Sequence, residues 1–244
     1  MLQRLDKLIA SQSTWSRSEV TRLVRTGQVT VNGTVCRDPS QKFDGDVCNV
    51  TVAGTPLVYQ QYVYIMMNKP RGVLSAATDK SRETVVDLVP PELSRKELFP
   101  VGRLDKDTTG LLLITDDGEF AHRVISPKSE IEKVYEVVLD GELPDNAEKE
   151  FLKGIVLHDG TQCLPAKLTV DKTDRTKATV TVMEGKYHQI KRMFGVLELG
   201  VNELHRKSVG GVELDPHLSS GKCRLLTALE LAQINKGNSK IDNK

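Results

Sequence analysis

The sequence predicts an α+β protein in two parts, a small N-terminal α–β module and a larger domain built on a mixed, largely antiparallel sheet. Three observations lead there. The first 55 residues alternate short helical and strand patterns, the rest sets five strand-like runs against helices of variable length, and Gly, Pro and paired Gln punctuate the junction. At 244 residues the chain is long enough for two domains and for a core that needs no staples. A hydrophobic share of 39% with 27% charged residues is ordinary for a globular protein.

In the first module, Leu5, Leu8 and Ile9 are spaced for one helical face. Ser16-Arg-Ser-Glu19 reads as a capping box opening a second helix, with Val20, Leu23 and Val24 as its buried stripe and Gly27 just past its end. Val29-Thr-Val-Asn-Gly-Thr-Val-Cys36 is a hairpin around the favoured Asn-Gly turn. Arg17, Arg22 and Arg25 lie free of the buried stripe. Gathered on one short helix, they are candidates to grip phosphates, although such charges are more commonly a solvated face. The module is assigned to residues 1–55 and the linker to 56–62.

The larger domain is assigned to residues 63–235. Its strand signals are YVYIMMNKP, GLLLIT, KVYEVVL, AKLTV and ATVTVM. Helical stretches fall near 119–125, 145–153, 188–199 and 227–234, with Asp145 a candidate cap for the second and Gly154 its end. Residues 236–244, KGNSKIDNK, form a polar tail expected to be disordered.

Net charge of +1 excludes a whole-molecule polycation, so affinity for nucleic acid must come from local patches. Cys36, Cys48, Cys163 and Cys223 lie far apart without a CxxC pair, which argues against a zinc site and a disulfide framework and suits a reducing cytosol. MLQRLDKLIA has neither the pattern of a signal peptide nor that of a membrane anchor. The expectation is a cytoplasmic protein with no membrane association.

The stretch GRLDKDTTGLLLITDDG (102–118) sets charged residues directly before an apolar run. A turn leading into a strand is the plainest reading. A calcium loop starting at Asp105 would put Asp107, Thr109, Gly110 and Asp116 near EF-hand positions. It is weakened by an Asp where a bidentate Glu belongs and by Pro100 and Gly102 in place of an incoming helix. In the third reading Asp105 is a catalytic carboxylate. Beside apolar strands it needs cations to stay charged. Arg103 is near in sequence, and Lys191 opens a helix whose Ile190, Met193, Phe194 and Leu197 form an apolar stripe.

The first module, through RLDKLIA and SRSEVTRLVRTGQVTVNGTV, resembles the RNA-binding module named after the fourth small-subunit ribosomal protein. NKPRGVLS (68–75), GRLDKDTTGLLLITDDGEFAHRV (102–124), EKVYEVVLDG (132–141), EGKYHQIKRMF (184–194) and ELHRKSVGG (203–211) resemble the ordered motifs of pseudouridine synthases, in the order typical of the bacterial small-subunit ribosomal RNA branch. The resemblance implies an isomerase that converts one uridine of 16S ribosomal RNA, uridine 516 by that likeness, to pseudouridine without cofactor or metal. It puts the catalytic aspartate at Asp105, the active-site tyrosine at Tyr135, the basic partner of the aspartate at Lys191 and the active-site leucine at Leu204 or Leu226. Asp107 and Asp116 then become turn residues. Asp105 would attack the sugar or abstract a sugar proton, and Tyr135 would receive a base turned out of its stack. Arg103 is a candidate to fill the vacated space or to contact phosphate. Lys69, Arg71, His122, Arg123, His188, Arg192, His205 and Arg206 are candidates to line an RNA-facing groove. The implied partner is 16S ribosomal RNA, free or in a partly assembled subunit, and a monomer is expected. The rivals are a large-subunit ribosomal RNA synthase and a non-catalytic RNA-binding assembly protein.

Overall fold

Leu5, Leu8 and Ile9 are fully buried on one side of α1 (Leu5–Ser11), which follows the short strand β1 (Leu2–Arg4). The structure is a computed structural model and describes residues 2–13 and 15–236. The predicted capping box opens α2 (Arg17–Arg25): the Ser16 hydroxyl accepts from Glu19 N–H at 3.2 Å, and Ser16 N–H donates to the Glu19 carboxylate at 2.6 Å. Val20 and Val24 are buried, whereas Arg17, Arg22 and Arg25 are exposed on the outer side of the helix. β2 (Val29–Val31) and β3 (Thr34–Val35) form the predicted hairpin, with positive φ at both Asn32 and Gly33 as its tight turn requires.

β4 (Lys42–Asp44) pairs with β1, while β5 (Val50–Val52) and β6 (Thr55–Leu57) complete a four-stranded sheet in the order β3-β2-β5-β6. The start of the assigned linker is therefore ordered sheet, since Pro56 and Leu57 belong to β6. Its turn is Ala53-Gly54, with φ of 50° and 80°, a conformation that alanine does not advertise. This first unit spans Met1–Val63 and also takes in Pro90–Leu98. Lys96 donates to the Trp15 carbonyl at 2.7 Å and Arg95 to the Gln60 carbonyl at 2.7 Å. Residues 90–98 thus leave the domain to which the sequence assigned them.

The second unit comprises Tyr64–Val89 and Phe99–Lys244. Its elements are β7 (Tyr64–Lys69), β8 (Phe99–Pro100), β9 (Thr109–Thr115), α3 (Gly118–Ile125), β10 (Lys133–Leu139), α4 (Ala147–Lys153), β11 (Lys167–Val170), β12 (Lys177–Val182), α5 (Gln189–Val196), β13 (Val201–Val209), β14 (Val212–Glu213), β15 (Cys223–Leu225) and α6 (Ala228–Lys236). The sheet runs β11-β12-β10-β13-β9-β7-β15, with β14 beside β13 and β8 beside β9. Among the described residues only the β13–β9 strand pairing is parallel, so the sheet is mixed and largely antiparallel as predicted. One core gathers around Phe151 and Phe194, and another around Phe120.

Two helix ends differ from expectation. α4 starts at Asn146 with no side-chain cap, and Asp145 is exposed and paired with Arg175 at 3.0 Å. Lys236, assigned to the tail, closes α6; residues 237–244 lie outside the described residues. α6 is fastened to β15 by Arg224, which donates to Glu230 at 2.9 and 2.7 Å and to Asp215 at 2.7 Å. The Arg224 guanidinium holds the Glu230 carboxyl down to about 2. Because folding lowers this pKa, the unfolded chain binds more protons between about pH 4.5 and 2, so the stabilisation is present above that window and lost as pH falls through it. Glu230→Gln is expected to cost about 2 kcal/mol near neutral pH and to flatten the acid limb of urea-melt stability against pH.

Candidate active site

The polar start of the GLLLIT strand is a loop fastened from beneath. Lys69, at the end of β7, is 0% exposed, and its ammonium donates to the carbonyls of Pro70 at 3.0 Å, Lys106 at 3.3 Å and Thr108 at 3.0 Å. Gly72 N–H reaches the Lys106 carbonyl at 2.7 Å, and the Ser75 hydroxyl both donates to the Leu104 carbonyl and accepts its N–H. The NKPRGVLS segment is thus the brace of the RLDKDT loop. Burial pushes the Lys69 ammonium down to about 8, against the pull of Asp107 and Asp105. Its candidacy as an RNA contact is corrected: a fully buried amine engaged by three carbonyls has nothing left for a ligand. At Gly110, φ is +101°, and a Cβ would lie 2.3 Å from the Arg206 carbonyl oxygen, so β9 and β13 approach backbone to backbone only because this residue is glycine.

Asp105 emerges from this loop with its side chain 27% exposed. His188 Nε2 lies 3.4 Å from one carboxylate oxygen and Lys191 Nζ 3.6 Å from the other. Lys191 is closer to Asp107, at 2.7 Å from both of its oxygens. Asp107 is accordingly more than a turn residue. Its carboxylate, held below the usual range by the Lys191 hydrogen bond, fixes the lysine against Asp105.

Asp105 and Tyr135 border a cleft of about 790 Å³, and a recess of about 70 Å³ beside it is lined by Asp105, Tyr135, Lys191 and Leu204. The structure therefore brings together the three residues that the sequence singled out. Leu204 borders the recess, while Leu226 packs in the core around Phe120. Arg206, on β13, is 6% exposed; it donates to the Leu111 carbonyl at 2.7 Å and to the Tyr135 hydroxyl at 3.4 Å. Tyr187 is 77% exposed on the cleft wall, stacked on the His188 ring at 3.9 Å between centroids.

Arg103 is exposed and lines the cleft, as its candidacy requires. Arg192 does not: it is engaged by Asp159 and the Tyr187 carbonyl. Arg71 is spent on the carbonyls of Asp107 and Asn202, Arg123 on Asn235, and His205 on Thr109. Arg17, Arg22 and Arg25 lie in the first unit and take no part in the cleft. Six cationic side chains (Arg82, Arg103, Lys106, Lys133, Lys186 and Arg206) face two acidic ones (Asp105 and Glu184) around it. That is the local patch a chain of net charge +1 requires for a polyanion. Among the described residues no cluster of three or more His, Cys, Asp or Glu is arranged to hold a metal, and Thr109 opens a strand where a calcium loop would continue.

The sequence alone assigns no role to Ser75, Thr108 or Lys133. Lys133 was within reach of the sequence, since a strand residue two before Tyr135 shares its face. Ser75 and Thr108 carried no such signal.

The RNA pseudouridylate synthase pattern matches residues 63–195 and the S4 domain pattern residues 3–46. The chain belongs to the RNA pseudouridylate synthase family. It is 44% identical over 235 residues to the uncharacterized RNA pseudouridine synthase YtzG of Bacillus subtilis (strain 168), covering 96% of this chain and 98% of that one. It is 40% identical over 233 residues to the ribosomal small subunit pseudouridine synthase A of Escherichia coli (strain K12), covering 95% and 99%. A crystal structure of a pseudouridylate synthase matches with a TM-score of 0.66 at 35% identity, over 95% of this chain and 99% of the other. As a pseudouridine synthase the chain is an isomerase, and the cleft around Asp105 is the candidate seat of that activity.

Proposed function

We propose that this pseudouridine synthase acts on 16S ribosomal RNA in the cytoplasm, as a monomer, and isomerises one uridine, uridine 516 by likeness to the small-subunit branch. The carrying observation is the convergence of Asp105, Tyr135 and Lys191 on a small recess, beside a cleft whose volume falls within the ~300–1,000 Å³ range of small-molecule sites. In this reading the target uridine leaves its stack and lies against Tyr135, with Leu204 beside it. Asp105, with the Lys191 ammonium 3.6 Å from its carboxylate, attacks the sugar or removes a sugar proton. The C1′–N1 bond breaks, the uracil turns, and it rejoins the sugar through carbon. Arg103 meets the strand at the rim, and the identity to the Escherichia coli small-subunit enzyme supports the choice of RNA.

Incubating the purified protein with 16S or 23S transcripts, then mapping pseudouridine, tests the reading. One new pseudouridine in 16S RNA is expected. One confined to 23S RNA would favour the large-subunit alternative, and none in either RNA or in assembly intermediates would favour a non-catalytic protein. The exposed arginines of α2 supply phosphate contacts in the same reading. Arg22→Ala with Arg25→Ala is expected to weaken binding and to reduce the slope of log affinity against log salt by about 1–2. An unchanged slope would remove α2 from the interface.

A further inference from the structure

Among the described residues two buried side-chain polar atoms lack any hydrogen-bond partner, and both belong to the walls just described: Lys133 Nζ and Thr108 Oγ1. Lys133 lines the cleft and Thr108 the recess beside it. Lys133 is 7% exposed, and its ammonium has essentially no solvent-accessible surface. Burial pushes it down to about 8, and the neighbouring Arg206 lowers it further rather than compensating it. An unpaired ammonium is costly in such a place. A methionine would pack equally well between Val182 and Val209, the cross-strand neighbours of Lys133, without that cost.

We infer that the partner of Lys133 is brought by the substrate: its ammonium donates a hydrogen bond to a carbonyl oxygen of the extruded uracil. The chemistry points to the base. When the C1′–N1 bond breaks, its electron pair leaves with uracil and spreads over N1, O2 and O4, so the oxygens gain negative charge as the sugar loses electrons. A preplaced cation that meets this charge in a water-poor site stabilises the transition state more than the ground state. Lys133 shares the strand face of Tyr135, the surface proposed for the base, two residues away. A phosphate of the strand has the exposed Arg103 and Lys106 at the rim and no reason to enter a nearly dry wall. This role rests on the assignment of Asp105 and Tyr135 proposed above.

The test is a cycle between enzyme and substrate under single-turnover conditions, using 16S RNA with uridine, 2-thiouridine or 4-thiouridine at the target. Sulfur is the poorer acceptor. The wild type is expected to slow about tenfold or more on one of the two thio substrates. Lys133→Met is expected to lose about 100-fold on uridine, to bind RNA within about twofold of wild type, and to show no difference between uridine and that thio substrate. Its melting temperature should equal or exceed that of the wild type, and Lys133→Arg should recover part of the rate and the discrimination. A Lys133→Met enzyme at wild-type rate, or one that is slow yet still discriminates as the wild type does, overturns the inference. So does a wild-type enzyme indifferent to both substitutions, a result that needs no variant to fold. Failure of the Asp105 assignment would look different, as turnover surviving in Asp105→Asn.

Discussion

Asp105→Asn is expected to abolish isomerisation, by about 10⁴-fold or more, while leaving the melting temperature and RNA affinity close to those of the wild type. The amide keeps the shape of the carboxylate but neither attacks a sugar carbon nor takes a proton. Retention of the fold follows from the surroundings. The side chain is 27% exposed, and the loop is held by Lys69 and Ser75 through its backbone. Lys191 also keeps its closer partner, since both Asp107 oxygens lie 2.7 Å from the ammonium, so removing one negative charge strands no cation. A single-turnover assay beside a filter-binding isotherm separates these outcomes. Weak binding with a normal chemical step would mean that Asp105 holds RNA rather than transforms it.

Lys69→Met is expected to cost about 3 kcal/mol of stability and to slow isomerisation about 100-fold, although Lys69 touches no substrate. Methionine fits the volume, but the carbonyls of Pro70, Lys106 and Thr108 lose their common donor inside the fold. Lys106 lies between Asp105 and Asp107 and Thr108 directly follows them, so slackening there moves the carboxylate relative to Lys191 and Tyr135. Denaturant melts measure the first effect. A rate loss with little change in RNA affinity identifies the second. Wild-type rates in a destabilised Lys69→Met protein would show that the loop holds its geometry without the lysine.

Much of the fold was legible in the order of residues because strand and helix periodicity announce themselves locally. The Asn32-Gly33 hairpin, the Ser16–Glu19 capping box and the Gly110–Thr115 strand depend on near neighbours and stand where the pattern put them. β13 was read only through its motif. Leu204 and Arg206 share the face of Val137 and Tyr135, but a bulge after Arg206 breaks the alternation before Ser208 and Val209, so an inward arginine and a slipped register hide the apolar rhythm by which strands are recognised. Arg206 faces inward because it bonds to the Leu111 carbonyl and the Tyr135 hydroxyl, both distant in sequence. Lys69 reads as a surface cation for the same reason, since its three acceptors are contributed by the fold. The preference of Lys191 for Asp107 depends on how α5 meets the 103–108 loop, a distance no spacing encodes.

The central claim is that the Asp105 carboxylate carries out the isomerisation of a small-subunit ribosomal RNA uridine. It is tested most directly by mapping pseudouridine in the ribosomal RNA of cells whose chromosomal copy of this protein carries Asp105→Asn. A single 16S pseudouridine should vanish, with every 23S site retained. A full complement of 16S pseudouridines in those cells would contradict it.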